Sequence, residues 1–138
     1  MKTFAERTGT ANPFNTIGVG AESKPTFTDL DNDGDFDLVV GERFGTIKYY
    51  ENTGSVTNPV YTGTSTNPFN TIDVGDWSAP TFTDLDNDGD LDLVVGESEG
   101  TIKYFENTGN VTNPTFTGTG ANPFNTIDVG DWSAPTFT

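Results

Sequence analysis

Short runs of apolar and β-branched residues alternate along this chain with turns rich in Gly, Pro, Asn and Asp. One complete unit of the pattern predicts four short strands, at residues 80–85, 91–97, 101–107 and within 114–130. The first of them opens with a proline, which the first position of a strand tolerates. No segment shows the apolar period of a helix, so we expect no helices. The pattern therefore predicts an all-β protein.

The second and third strands of this unit carry apolar residues on both faces. A strand with one solvated face alternates apolar and polar residues instead. Here apolar residues stand at both the odd and the even positions of the two strands: Leu93, Val94, Val95, Ile102, Tyr104 and Phe105. We therefore expect neighbouring structure to cover both faces of the sheet.

The strand pattern recurs with a period of 55 residues. The segment NPFNTI begins at residues 12, 67 and 122, and the sequence from 67 to 83 returns unchanged from 122 to 138. A period near fifty indicates stacked units, each of which cannot bury its own faces alone. The predicted boundaries are a partial repeat at 1–28, holding the last strand of one unit and the first strand of the next, and repeats at 29–83 and 84–138, the latter ending in a first strand.

Four antiparallel strands per unit, two covered faces and this period together predict β-propeller blades. About two and a half units fit into 138 residues, whereas a propeller typically has about 4–8 blades. The predicted ring is therefore incomplete in one chain, and we expect homo-oligomerisation to complete it. A fragment of a longer array and an engineered or recently duplicated piece are the alternatives.

An acidic loop follows the first strand of each unit. DLDNDGDFD spans residues 29–37 and DLDNDGDLD spans residues 84–92, so five carboxylates fall within nine positions. The pattern D-x-D-x-D-G-x-x-D places side-chain oxygens at positions 1, 3, 5 and 9 and a backbone carbonyl at position 7, while Gly at position 6 permits a sharp turn. Oxygen ligands in this spacing can surround a hard cation, which would offset the repulsion among the carboxylates.

This donor set predicts Ca²⁺, which tolerates irregular oxygen coordination. Mg²⁺ prefers a strict octahedron, and transition metals prefer imidazole or thiolate. An EF-hand is excluded because its twelfth position requires Glu, and the loops have Val40 and Val95 there. The predicted ligands are the side chains of Asp29, Asp31, Asp33, Asp37, Asp84, Asp86, Asp88 and Asp92, with the backbone carbonyls of Asp35 and Asp90. The alternative is a solvated acidic turn without a bound ion.

Charge and composition narrow the range of functions. The chain has 21 acidic and 6 basic residues, a formal net charge of −15, and neither Cys nor His. Nucleic acid and anionic membranes are disfavoured because no basic cluster exists to neutralise phosphates, and no apolar run is long enough to span a membrane. Disulfides, thiol chemistry and imidazole bases are excluded. Because the carboxylates are assigned to metal loops and no nucleophile–base pair can be named, we expect no enzymatic activity.

The sequence DLDNDGDxDLVVGE followed by GTIKYYENTG resembles the FG-GAP/VCBS-type repeats of integrin-α-like β-propellers, over essentially the whole chain. The Phe-Gly and Gly-Ala-Pro signatures of that family are not intact, since SAPTF and VVGE stand roughly where they would fall. The resemblance implies calcium in the loop between the first two strands of a blade, and adhesion or ligand binding by the ring. It also implies an extracellular or surface protein, whose signal peptide would lie outside this chain.

A second candidate site lies at the end of each blade opposite the acidic loop. Asp76-Trp77 and Asp131-Trp132 occur in the segments DVGDWSAP, which lead into the next blade. An aromatic ring beside carboxylates can stack on a sugar while the acids accept its hydroxyl groups. The alternative is that each Trp fills the gap between blades. The first unit has Ala-Glu at the corresponding positions 21 and 22, so one copy lacks the site.

Together these patterns predict a non-catalytic, calcium-binding β-propeller repeat module. It would act as an extracellular binding or adhesion scaffold, with copies of itself and a glycan or protein ligand as partners. Two alternatives stand beside this prediction. A carbohydrate-binding lectin would use the Trp and Asp residues of the second site. An engineered or recently duplicated self-assembling repeat would bind no ligand beyond calcium.

Overall fold

In the computed structural model, the described residues form eight β-strands in two four-stranded antiparallel sheets. The structure describes residues 3, 5–64, 66–118 and 120–137, so the outer limits of the predicted repeats at residues 1 and 138 lie outside it. The first sheet contains β1 (Lys24–Thr28), β2 (Asp37–Gly41), β3 (Ile47–Asn52) and β4 (Tyr61–Gly63). The second sheet contains β5 (Ala79–Thr83), β6 (Asp92–Gly96), β7 (Ile102–Asn107) and β8 (Phe116–Gly118).

Each sheet is a meander in which every strand pairs antiparallel with the next strand of the chain. The described residues contain no α-helix and one 3₁₀ turn, at Gly9–Ala11. The predicted all-β architecture with four antiparallel strands per unit is thus confirmed. The two sheets correspond to two blades of an incomplete propeller, and no closed barrel forms within the described residues.

The first three strands of the second sheet begin and end within two residues of their predicted positions. The fourth strand is much shorter than the segment in which it was predicted. It contains only Phe116–Gly118, whose pairing with β7 ends where Gly118 meets Phe105. Farther along the sequence, Gly120 and the pair Asn122-Pro123 disfavour a longer strand.

β2 and β6 are buried along their whole length, as their consecutive apolar residues predicted. The main core lies between the two sheets, where Val39 pairs with Tyr49 on one side and Leu93 pairs with Phe105 on the other. The segment connecting β4 to β5 completes this core. The buried residues of the core are Leu30, Val39, Ile47, Tyr49, Phe69, Ile72, Val74, Leu93, Val95 and Phe116.

Polar contacts attach the connecting segment to the first sheet. The Oγ atom of Ser78 accepts a hydrogen bond from the Glu42 N–H (2.9 Å) and donates one to the Thr46 carbonyl (3.0 Å). The side-chain amide of Asn67 donates to the Ile47 carbonyl (3.0 Å). These bonds satisfy backbone groups at the end of β2 and at the start of β3. The strand that begins the second blade is therefore positioned by the first.

The second repeat forms the same contacts at its own end. Ser133 Oγ accepts from the Glu97 N–H (2.7 Å) and donates to the Thr101 carbonyl (2.7 Å), while Asn122 donates to the Ile102 carbonyl (2.8 Å). The sequence prediction assigned no role to these serines. Their recurrence at the 55-residue period, together with that of the glutamates, was the available signal.

Candidate metal centre

Both acidic loops turn through residues with left-handed backbone conformations. In the loop between β1 and β2, Asn32 has φ 58° and Gly34 has φ 97°. In the loop between β5 and β6, Asn87 has φ 64° and Gly89 has φ 101°. Glycine adopts this conformation without strain, and Asn tolerates it better than most residues. The sharp turn predicted at each glycine is therefore present.

This turn brings three carboxylates of each loop together. In the first loop a carboxylate oxygen from each of Asp29, Asp31 and Asp33 lies within 4.8 Å of the other two. Backbone amides hold Asp29 in place, since its oxygens accept hydrogen bonds from the N–H groups of Asp33 (3.1 Å) and Gly34 (3.1 Å). The second loop forms the same cluster from Asp84, Asp86 and Asp88.

Asp35 and Asp90, at the seventh position of each loop, each have one buried side-chain oxygen without a partner. In both residues Oδ1 is inaccessible to solvent and accepts no hydrogen bond within the described residues. A buried carboxylate oxygen carries a free-energy cost unless a hydrogen bond or a cation satisfies it. The sequence predicted only a backbone carbonyl ligand here, so the structure adds a side-chain oxygen to each candidate donor set.

Asp37 and Asp92, at the ninth position, lie outside the three-carboxylate clusters. Asp37 is buried, and its oxygens accept hydrogen bonds from the Leu30 N–H (3.2 Å), the Asn52 N–H (2.8 Å) and the Tyr49 hydroxyl (3.0 Å). Asp92 makes the equivalent three contacts. A carboxylate has about four acceptor positions, so these hydrogen bonds leave capacity for the cation that the sequence predicts.

The surroundings of Asp31 and Asp37 in the first loop disfavour the ionised forms of these two carboxyl groups. Burial raises the pKa of Asp31, and the charge of Asp33 raises it further. Burial also raises the pKa of Asp37 to about 6, although its hydrogen bonds act in the opposite direction. Within the described residues the only ion pair joins Arg43 to Glu22 (3.9 Å), so no basic side chain pairs with a loop carboxylate there. A cation taken from solution would stabilise the ionised forms.

The chemistry of the donors in each loop suits a hard divalent cation. All candidate ligands are oxygen atoms, and Ca²⁺ takes about 6–8 of them in variable geometry. The converged carboxylates and the unpartnered Oδ1 atoms supply oxygens that lack competing cations within the described residues. The residues present therefore fit the ion that the sequence predicts.

The second candidate site lies beside the turns that follow β2 and β6. Trp77 and Trp132 contact each other edge to face, with ring centroids 4.1 Å apart and an interplanar angle of 84°. The Arg43 guanidinium lies 5.5 Å from the centroid of the Trp77 ring. The backbone N–H of Trp77 donates a hydrogen bond to the backbone carbonyl of Arg43 (2.9 Å). Trp132 is 50% exposed. The two Trp residues, predicted separately with Asp76 and Asp131 before them, therefore form one aromatic surface.

Comparison with known protein families returns one repeat family. Its model, the FG-GAP-like repeat, matches residues 29–95 and again residues 84–137, and the two matches together span most of the chain. Both matches begin at the first aspartate of an acidic loop. Comparisons with curated proteins and with solved structures found no match. In the described part of the chain, no helix has the length and apolar character needed to cross a membrane.

Proposed function

The chain belongs to the FG-GAP-like repeat family, and from this premise we propose that it is a calcium-binding module serving as an extracellular binding or adhesion scaffold. FG-GAP-like repeats form propeller-type modules, are generally non-enzymatic and are typically extracellular. The proposed module is likewise non-catalytic, and copies of the chain associate to complete its ring.

The convergence of three carboxylates in each acidic loop carries the proposal. Like charges within 4.8 Å repel one another, and a divalent cation would replace this repulsion by attraction. The proposed ligands of the first loop are the side chains of Asp29, Asp31, Asp33 and Asp37 with an oxygen of Asp35. Those of the second loop are Asp84, Asp86, Asp88 and Asp92 with an oxygen of Asp90.

Bound calcium would connect the acidic loop to the sheet. Asp29 directly follows β1 and Asp37 begins β2, so a shared cation would join the ends of two paired strands. Extracellular calcium modules typically bind with Kd of about 10⁻⁴–10⁻³ M. An affinity in this range suits calcium-rich surroundings outside the cell.

Isothermal titration calorimetry with CaCl2 tests the proposal directly. We expect two calcium ions per chain in the wild type, and one in each of the matched variants Asp31→Asn and Asp86→Asn. Asp131→Asn, which makes the same chemical change at the opposite end of the blade, is expected to retain both. Absence of calcium binding by the wild type, or full binding by both loop variants, would rule the proposal out.

A carbohydrate-binding function is the second candidate, and the aromatic surface formed by the partly buried Trp77 and the exposed Trp132 favours it. Each ring follows an aspartate, Asp76 or Asp131, whose carboxylate can accept hydrogen bonds from sugar hydroxyls. We expect glycan-array binding that is lost in Trp132→Ala and in Trp77→Ala. An array without bound glycan would instead favour a self-assembling structural repeat, engineered or recently duplicated, with no ligand beyond calcium.

A further inference from the structure

One phenylalanine position of the repeat marks the contact between the blades. Phe69 lies in the segment between the two sheets and is only 1% exposed. Its ring contacts Tyr49 of the first sheet, with centroids 6.4 Å apart, and Phe82 and Phe116 of the second sheet, at 5.9 and 5.0 Å. These four rings, named the joint below, are therefore contributed by both blades and by the segment between them.

The first-sheet end of the chain carries one half of a second joint. Phe14 is the counterpart of Phe69, one repeat earlier. Its ring contacts Phe27 and Tyr61 (6.0 and 5.0 Å), which occupy the places of the two second-sheet rings in the joint. Among the described residues no other aromatic ring contacts Phe14, and it is 37% exposed. This end therefore lacks the partner that Tyr49 provides inside the chain.

The second-sheet end carries the complementary half. Phe124 is the counterpart of Phe69, one repeat later, and it lines a groove together with Tyr104. Tyr104 is the counterpart of Tyr49 and lies on β7, as Tyr49 lies on β3. This end therefore has the rings of the preceding blade and of the segment. Of the two rings that a following blade supplies, no counterpart of Phe116 packs here. The counterpart of Phe82 is Phe137, which is 41% exposed and contacts no other aromatic ring among the described residues.

Burial along the segment shows the same incompleteness. Ile72 and Val74 are each 6% exposed, whereas their counterparts Ile127 and Val129 are 42% and 59% exposed. The local sequence is identical, since residues 67–83 and 122–138 do not differ. The difference in exposure is therefore due to the blade that covers the first pair and not the second.

We infer that the second-sheet end of one copy docks onto the first-sheet end of another copy and rebuilds the joint head to tail. This inference deepens the proposed ring assembly and rests on it. The two ends carry complementary halves of one cluster, and the internal joint shows that such halves fit each other. A head-to-tail contact generates a ring when its rotation closes. With two blades per chain, two, three or four copies supply the roughly 4–8 blades of a propeller.

Two equivalent segments compete for each joint between copies. Residues 122–137 of one copy and residues 12–27 of the next copy are counterparts, so only one residue of each matched pair can occupy its place between the blades. Residues 24–27 keep their place because β1 is paired with β2, and residues 134–137 give way to them. The competition is therefore between residues 122–133 and residues 12–23. Residues 122–133 are already attached to the second sheet of their own copy. The side chain of Asn122 donates a hydrogen bond to the Ile102 carbonyl (2.8 Å), and Ser133 Oγ accepts one from the Glu97 N–H (2.7 Å).

Sequence differences within the two segments favour the same choice. The side chain of Asp128 accepts a hydrogen bond from the Gly130 N–H (2.8 Å). The backbone of Asp128 forms an isolated antiparallel β-bridge with Thr101, the residue before β7. The counterpart of Asp128 in the earlier segment is Gly18, which has no side chain to make the first of these contacts. Residues 122–133 therefore fill the joint, and residues 12–23 of the next copy are displaced.

Two arginine variants and their mixture test the head-to-tail contact. Phe27→Arg places a charge in the first-sheet half, and Ile127→Arg places one in the second-sheet half. Both side chains are more than 40% exposed within one chain, so both variants are expected to fold. Either change reduces the magnitude of the net charge, so stronger mutual repulsion would not explain lost association. Phe44→Arg, at a 67% exposed position outside the joint, is the matched control.

Sedimentation velocity in calcium-containing buffer provides the readout. We expect the wild type and Phe44→Arg to form the same closed oligomer, and each joint variant to associate about 100-fold more weakly or worse. An equimolar mixture of Phe27→Arg and Ile127→Arg is expected to give a 1:1 dimer, because it retains one unmodified pair of ends. A monomeric wild type, joint variants that assemble like the wild type, or a mixture that forms no dimer would each overturn the inference.

Calorimetry separates this inference from the proposed function. The monomeric variants are expected to bind two calcium ions, because neither substitution lies in an acidic loop. A wild type that binds calcium but stays monomeric refutes the joint and the ring assembly on which it rests, and leaves the calcium proposal intact. A wild type that assembles without binding calcium supports the joint and refutes the calcium proposal.

Two alanine variants identify the segment that fills the joint. Phe124→Ala is expected to weaken association about tenfold or more, since a buried aromatic ring is lost from the joint. Phe14→Ala is expected to leave it within about threefold of the wild type, because Phe14 is displaced on assembly. The reverse order would overturn the assignment of residues 122–133 to the joint.

Discussion

Ser78 satisfies both backbone hydrogen-bonding groups of Glu42, a residue of the preceding blade. Its Oγ accepts from the Glu42 N–H (2.9 Å), and its own N–H donates to the Glu42 carbonyl (3.1 Å). Both residues are buried, so water cannot replace these bonds. The contact between blades is therefore made by backbone hydrogen bonding as well as by apolar packing.

Replacing Ser78 by alanine should destabilise the protein by about 1–3 kcal/mol. The substitution leaves the buried Glu42 N–H without its acceptor, and an unsatisfied buried donor costs its desolvation free energy. Urea unfolding of the variant and the wild type measures the difference. Ser55→Ala, at an exposed position, is the control and should change stability by less than about 0.5 kcal/mol. Equal effects of the two changes would contradict the assigned role of Ser78.

Gly41 lies so close to the next blade that no side chain fits there. A Cβ atom at this position would stand 2.2 Å from the carbonyl oxygen of Ser78 and 2.7 Å from Cδ of Pro80. Gly41→Ala should therefore force the blades apart and cost about 3 kcal/mol. Gly18→Ala is the control, because a Cβ at Gly18 meets no atom within 4 Å. Denaturant unfolding that finds the two variants equally stable would show that the blades are not so closely packed.

Calcium should raise the melting temperature. With Kd of about 10⁻⁴–10⁻³ M, 10 mM calcium contributes about 1.4–2.7 kcal/mol per site. Two sites then raise Tm by about 10 °C relative to the protein in EDTA. Differential scanning calorimetry at constant ionic strength measures the shift, and Mg²⁺ at the same concentration should produce a smaller one. The double variant Asp31→Asn/Asp86→Asn should show no calcium-dependent shift. A wild-type Tm unchanged by calcium would contradict the prediction.

Glu97 should contribute stability that depends on pH. Burial alone would raise the pKa of its carboxyl, but hydrogen bonds from the Thr101 hydroxyl and from the N–H groups of Glu99 and Thr101 outweigh it and lower the pKa below 4.5. A carboxyl whose pKa is lower in the folded state stabilises that state fully above pH 4.5. The contribution is lost as the pH falls through the folded-state pKa.

The variant Glu97→Gln isolates this contribution, because a side-chain NH2 group would face the backbone N–H donors. We expect it to unfold about 1–3 kcal/mol more easily than the wild type at pH 7. The difference should shrink as the pH is lowered below 4.5, measured by urea unfolding at each pH. Glu99→Gln, at an exposed position, should differ little from the wild type throughout. If the difference in free energy of unfolding between Glu97→Gln and the wild type did not change with pH, the proposed role of the Glu97 charge would be disproved.

Local patterns were sufficient to predict most of the fold. The consecutive apolar residues of β2 and β6 predicted strands covered on both faces, and the 55-residue period predicted two equivalent sheets. The glycine of each acidic loop predicted its sharp turn, now seen as a left-handed Gly34 and Gly89. These features follow from side-chain alternation and backbone sterics, which act over a few residues. The spacing of the aspartates placed the three converging carboxylates of each loop among the predicted ligands, but it also included Asp37 and Asp92, which lie outside the clusters.

Contacts between distant residues could not be predicted in this way. The equal spacing of the loop aspartates gave no sign that Asp37 lies under the loop, where it accepts hydrogen bonds from Tyr49 and Asn52. Nor did it indicate that Trp77 and Trp132 contact each other. Both outcomes depend on how one strand or blade packs against another, and the sequence near each residue carries no record of that packing.

The phenylalanines of the three NPFNTI segments show most directly what the sequence determines and what depends on tertiary packing. The sequence by itself determined that Phe14, Phe69 and Phe124 occupy equivalent positions, because the repeat is explicit in the order of residues. Only the tertiary structure decided that Phe69 is 1% exposed while Phe14 is 37% exposed. The physical reason is that burial is a property of the neighbours, and only the middle segment lies between two blades of the same chain.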